Sequence, residues 1–236
     1  FGLETGVPTH YYDLDQAIAD GFLVPPKAFS VPLKFMREGI MYSELSDEEK
    51  EHWESTDWGD QEAPEEVSAA QINKQLFNTD TVDKMLKHLM ENGIKVEGGD
   101  VLGKTIIFAV NQNHAEFIAE RFNLSYPQYD GKFARIITHS TKYAQSVIDD
   151  FSKKDLAEPQ IAISVDMLDT GIDVPEVVNL VFFKAIRSKV KFMQMIGRGT
   201  RLCENLFVPE SHKSEFYIFD YCKKFEYFEI NPKGAI

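Results

Sequence analysis

Two short stretches of this chain carry residue types whose spacing suits phosphate chemistry. The first is Gln194-Met-Ile-Gly-Arg-Gly-Thr-Arg201. Arginine stays charged at any accessible pH and presents a planar fork of donors that matches phosphate oxygens. Arg198 and Arg201, three apart at a helix end opened by Gly197 and Gly199, can converge on one phosphate. Such arginines stabilise the charge that develops on a transferring phosphoryl group and accelerate the transfer by about 10³–10⁵. The second stretch is Val165-Asp-Met-Leu-Asp-Thr-Gly-Ile-Asp-Val-Pro175. There Gly171 allows a tight turn or close approach to a ligand, Asp173 offers a carboxylate to a ribose hydroxyl, and Pro175 fixes the exit. Taken by itself, Thr-Gly-x-Asp is also an ordinary turn.

These residues need a frame, and from residue 101 onward the chain alternates strands and helices. Lys104–Val110 is a short, nearly all-apolar run, as expected of a strand covered on both faces. A helix over Asn113–Phe122 follows, then a strand at Ala134–Thr138, a helix at Tyr143–Phe151 and strands at Ile161–Val165, Val177–Phe183 and Phe216–Phe219. Lys189–Ile196 reads as the helix between the last two. The alternation implies right-handed crossovers and a largely parallel sheet, with ligands beyond the carboxyl ends of its strands.

The first hundred residues differ. Asp13–Leu23 has helical spacing, Val24-Pro-Pro-Lys27 forces an extended passage, and Ala28–Phe35 reads as a strand. Helical periodicity returns over Gln71–Asn92, with Val82, Met85, Leu86 and Leu89 as the apolar stripe and Gly93 at the stop. The expected division is therefore a leading segment with an acidic, partly helical arm over 1–100 and an α/β domain over 101–236.

Charge is distributed as unevenly as structure. The net charge is −13, yet Glu44–Glu66 holds eleven acids against Lys50 alone, so the remainder carries only −3. Lys184–Arg201 holds six cations and no acid, a basic patch hidden by the net value. Glu48-Glu-Lys50 superficially resembles the end of a nuclease site, but a solvated acidic helix face accounts for it.

The two cysteines and six histidines show no metal-ligand spacing, so no metal site and a reducing, cytoplasmic setting are expected. No apolar run reaches the roughly 20 residues that span a bilayer. The chain opens on Phe1 without an initiator Met or a signal-peptide pattern, and is expected to be a piece of a longer protein.

The order of these segments resembles the second RecA-like domain of superfamily two helicases. Lys104–Phe122 is similar to their motif IV, Val165–Pro175 to motif V and Gln194–Arg201 to motif VI. Within that superfamily the chain looks like the motor (R) subunit of type I restriction-modification enzymes. That likeness includes Tyr12–Leu23, the Phe77-Asn-Thr-Asp-Thr81 helix start, Gly103–Ala115 and the long Ile161–Leu202 block.

The resemblance implies a RecA-like three-layer fold and ATP as the nucleotide, with magnesium held mainly by the absent first RecA-like domain. It implies that Arg198 and Arg201 face the γ-phosphate across an interdomain cleft, with Gln194 positioning that phosphate or the attacking water. Gly171, Asp173 and Gly197 would meet the nucleotide. Thr170, the loop around Thr138, and Ser164 would touch the DNA backbone, the last because Val165 stands where many relatives have threonine. Met195 replaces an arginine common after the motif's glutamine. The implied partners are double-stranded DNA, the first RecA-like and nuclease domains of the same subunit, and the modification and specificity subunits.

No Asp-Glu-x-His motif occurs, and the one Gly-x-x-x-x-Gly-Lys-Thr match, Gly98–Thr105, leads into the apolar strand at Lys104–Val110 rather than into a helix, so the isolated chain is expected to hydrolyse ATP negligibly. A dehydrogenase-type nucleotide fold is disfavoured, because Gly197-Arg-Gly199 lacks a third glycine and comes late. A DNA repair or remodelling translocase, or an interaction fragment docked through the acidic arm, is the alternative reading.

Overall fold

A computed structural model describes residues 14–30, 40–41, 66–67, 79–138, 144–153, 158–165, 167–168, 173–184, 186, 188–222 and 224–228. Apart from the two-residue strand at 66–67, the acidic arm lies outside the described residues, as do residues 31–35 and 71–78 of the predicted strand and helix. The helix α1 (Leu14–Ala19) and strand β1 (Pro26–Ser30) come first. Two two-residue pairings follow, β2 (Ile40–Met41) with β3 (Glu66–Val67), and β4 (Lys95–Val96) with β5 (Val101–Leu102), both antiparallel. Helix α2 (Thr79–Asn92) lies between them in sequence. The alternating part then runs β6 (Thr105–Phe108), α3 (Gln112–Ser125), β7 (Ala134–Ile137), α4 (Ala144–Ser152), β8 (Ile161–Ser164), β9 (Asn179–Phe182), α5 (Lys189–Ile196), β10 (Phe216–Asp220) and α6 (Lys224–Tyr227).

Six strands form one sheet in the order β1-β10-β9-β6-β8-β7, and every pairing in it is parallel. Strand side chains alternate between two cores, as the period of two requires. On one side Ile106, Phe108, Ala162, Leu180, Phe182, Phe216 and Ile218 pack with α4 (Val147, Ile148, Phe151) and α5 (Phe192, Met195, Ile196). On the other, Ile107, Ile161, Ile163, Val181 and Phe219 pack with α2 (Val82, Met85, Leu86, Leu89) and α3 (Ala115, Ile118, Phe122). Helices therefore cover both faces, which is why β6, β8 and β9 are buried from end to end. This is the three-layer α/β arrangement of a RecA-like domain.

Local chemistry sets the element ends. Asn111 caps α3 by accepting the His114 N–H at 2.9 Å, so that helix starts at Gln112, one residue before the predicted start at Asn113. Gly93 ends α2 through close approach: a Cβ there would stand 2.6 Å from the Leu102 side chain and 2.7 Å from the Leu89 carbonyl. The leading segment contributes more than a packed arm, since β1 pairs with β10 over its whole length as the sheet's edge strand.

Candidate functional site

Helix α5 carries the arginine motif to its place. Ser188 caps it, accepting the Lys191 N–H at 3.3 Å, and its Phe192, Met195 and Ile196 are buried while Gln194 faces out. Past Ile196 the chain winds on in a tightened turn. Arg198 N donates to Met195 O at 3.1 Å and Gly199 N to Ile196 O at 3.0 Å, while Thr200 Oγ1 donates to Gly197 O at 3.0 Å. Gly197 keeps right-handed helical angles (φ −54°, ψ −19°), so it continues the helix rather than opening it. Gly199 is needed for another reason: a Cβ there would meet the Phe216 ring at 2.1 Å.

That contact locates the motif. Phe216 is the first residue of β10, and Thr200 O accepts the Val24 N–H at 2.8 Å just before β1. The arginine turn therefore lies at the amino ends of the strands, where an antiparallel return along α5 must deliver it. Ligands are expected beyond the carboxyl ends of such strands, and this turn lies at the other end. Asp173 comes to the same edge because the segment after β8 crosses from carboxyl to amino end before β9 begins.

The two clusters meet there. Arg201 Nε lies 3.1 Å from Asp173 Oδ1, with the side chains 55% and 66% exposed. Arg198 is half-buried, with its Nε inside. Arg198, Arg201, Gly197, Gln194 and Asp173 thus belong to one edge, whereas Thr170 and Gly171 fall outside the described residues.

Thr138 and Ser164 sit at the opposite, carboxyl edge. Thr138 is buried after β7 and its Oγ1 donates to Gln112 Oε1 at 2.5 Å. Ser164, the last residue of β8, is fully buried and its Oγ accepts the Leu168 N–H at 3.2 Å. Lys184, counted in the basic patch, is buried too, and its ammonium donates to the Val165 carbonyl. The patch is therefore smaller than the sequence implied. Among its described members Lys189 and Arg201 are exposed, and Lys191 and Arg198 are half-exposed.

Two titrating groups near these edges are shifted by burial. His114, behind the carboxyl end of β6, accepts the Val110 N–H on Nδ1 at 3.1 Å, and burial pushes its pKa down to about 4. Lys213, which spacing did not single out, is buried at the amino edge, and desolvation lowers its pKa to about 8 against the opposing pull of Cys203 and Glu176. A lone lysine in Pro-Glu-Ser-His-Lys-Ser-Glu carries no periodic signal that would have marked it. Among the described residues no cluster of His, Cys, Asp and Glu could hold a metal ion, and no helix is long and apolar enough to cross a membrane.

Comparison with known proteins agrees with this fold. Residues 79–203, more than half of the chain, match the model of the helicase conserved C-terminal domain. The chain is 30% identical over 231 residues to the type I restriction enzyme EcoKI endonuclease subunit of Escherichia coli strain K12, covering 91% of this chain and 18% of that protein. It is 27% identical over 233 residues to the EcoAI endonuclease subunit of Escherichia coli, covering 94% and 26%. The solved fragment of a proposed HsdR subunit of a type I restriction enzyme from Vibrio vulnificus YJ016 superposes with a TM-score of 0.67 at 25% identity, over 98% of this chain and 38% of that one. The chain thus spans well under half the length of these relatives. With its parallel sheet and more than half of its length inside that model, the chain belongs to the helicase conserved C-terminal domain family.

Proposed function

We propose that this chain is the second motor domain of an ATP-dependent DNA translocase, in the R subunit of a type I restriction endonuclease. The observation that carries the reading is the meeting of Arg201 and Asp173 at one edge of the sheet. Both side chains are more than half exposed, so the pair is weakly held and Arg201 can exchange its carboxylate for a phosphate. The half-buried Arg198, one turn after Gln194, gives the same edge a second guanidinium.

In this reading the γ-phosphate of ATP is bound by a first RecA-like domain, which also holds magnesium. Arg198 and Arg201 reach it across the cleft and stabilise the charge developing in phosphoryl transfer. Gln194 positions the phosphate or the attacking water, Asp173 and Gly171 meet the ribose side, and Gly197 lets the backbone come close. Thr170 and the loop around Thr138 touch the DNA backbone, with Thr138 at the opposite edge. Ser164, fully buried, serves that contact by shaping the turn through Leu168. Double-stranded DNA, the first RecA-like and nuclease domains, and the modification and specificity subunits are the partners, in the cytoplasm.

The test is Arg201→Ala in the full-length protein that carries this chain. DNA-stimulated ATP turnover should fall by about 10³-fold or more while ATP affinity stays within a few-fold. Turnover at the wild-type rate would sink the arginine assignment. The isolated chain should show no DNA-stimulated ATP turnover, because its one Gly-x-x-x-x-Gly-Lys-Thr match, Gly98–Thr105, runs into strand β6 instead of a helix and buries Lys104 against the Lys153 carbonyl. Measurable turnover by the purified fragment would overturn that expectation.

A further inference from the structure

Lys213 has no part in either motif, yet it touches the chain on both sides of the Arg201–Asp173 pair. Its Nζ donates to Pro175 O at 2.9 Å and to Val177 O at 2.6 Å, just past Asp173. Its backbone N–H donates to Cys203 O at 2.9 Å, just past Arg201. Its ammonium stands 5.9 Å from the centre of the Phe216 ring, the ring against which Gly199 packs. One side chain therefore connects the exit of the Asp173 segment, the stretch after the arginines and the ring beneath their turn.

Such burial is costly for a lysine unless its donors are met, and an apolar chain of similar volume would avoid the cost. Here the donors are spent on the Pro175 and Val177 carbonyls of a single turn, closed by the Val177 N–H on the Val174 carbonyl at 3.1 Å and lying before β9 begins at Asn179. A neutral amine keeps two N–H donors, so the grip outlasts loss of the proton.

We propose that Lys213 is a positioning residue for the arginine motif, bracing the Asp173–Val177 stretch against the chain just past Arg201 so that Arg201 faces the nucleotide. This rests on the nucleotide-facing reading above. Displacement of a reacting group by about an ångström from such a site costs about a hundredfold in rate.

The experiment compares Lys213→Met, which keeps the stem and removes the donors, with Lys213→Gln, which keeps one donor group. Both are made in the full-length protein, alone and with Arg201→Ala. Lys213→Met should bind a fluorescent ATP analogue with unchanged stoichiometry and within about twofold of the wild-type Kd, while kcat drops about 10- to 100-fold. Lys213→Gln should recover part of kcat. In the Arg201→Ala background, Lys213→Met should change residual turnover by less than about twofold, because the group it positions is gone. A wild-type kcat in Lys213→Met, or losses that multiply in the double variant, would overturn the role. If Lys213→Met fails to bind the analogue at full stoichiometry, the same cycle is read on Lys213→Gln. Should Arg201→Ala alone leave turnover intact, the nucleotide-facing reading is what fails. A crystal structure of Lys213→Met then decides the positioning role: a separated Arg201–Asp173 pair upholds it, and an unchanged pair overturns it.

Discussion

Arg201 and Asp173 make an ion pair that water reaches from most sides. Exposed pairs of this kind contribute at most about 1 kcal/mol, because solvent screens the attraction and both side chains lose freedom. Asp173→Ala should therefore leave thermal stability nearly unchanged, with a loss within about 1 kcal/mol by denaturant melts, while raising the KM for ATP in the full-length protein. A large stability loss with an unchanged KM would assign the carboxylate to the fold instead. Gly199 is the opposite case, a motif residue whose side chain must be absent for packing. Its missing Cβ leaves room for the fully buried Phe216 ring, which a Cβ at that position would meet at 2.1 Å. Gly199→Ala should cost about 1–3 kcal/mol by overpacking and should weaken turnover as the arginine turn is pushed outward. Wild-type melting would show that the ring has somewhere to go.

At the scale of elements, α5 converts a local pattern into a position. Its buried Phe192, Met195 and Ile196 lock it to the sheet, and its length returns the chain to the amino edge just where the arginines begin. The pattern was readable residue by residue: Lys189–Ile196 is predicted and observed with the same ends. Strand β1 was readable only in part. Val24-Pro-Pro-Lys27 announces extended chain, but its neighbour β10 lies nearly two hundred residues further on. Parallel pairing at that separation leaves no local mark, because the partner supplies the hydrogen bonds. The same limit explains Lys184. As one of six cations it looks like surface, and only the placing of the β8 and β9 ends on either side of β6 turns its ammonium onto the Val165 carbonyl.

The whole molecule adds pH to these local accounts. His114 is buried neutral with a folded pKa of about 4 against an ordinary 6.5. The unfolded chain thus binds a proton that the folded one refuses, and stability falls as pH drops from 6.5 towards 4. The shift corresponds to a loss on the order of 3 kcal/mol. Urea melts across that interval should show this slope, and His114→Gln should flatten it; an unchanged slope would place the acid sensitivity in other groups. Lys213 acts at the other end of the scale. Its folded pKa of about 8 lies below the ordinary 10.5, so the cost of its buried charge is fully present below pH 8 and is relieved as pH rises from 8 to 10.5.

From its residues alone the chain declared an α/β alternation, a sheet covered on both faces, and an arginine motif of the helicase type. Those signals are local: burial imposes periods of two and near four on neighbouring residues, and arginine spacing sets what one turn can reach. Tertiary structure decided where that turn lies, which carboxylate it meets and which lysine braces it. Asp173, Arg201 and Lys213 are distant in sequence, and only the parallel order β1-β10-β9-β6-β8-β7 brings the chain before β9, after α5 and before β10 to one edge. Contacts of that kind follow from strand order, which no short window of side chains encodes.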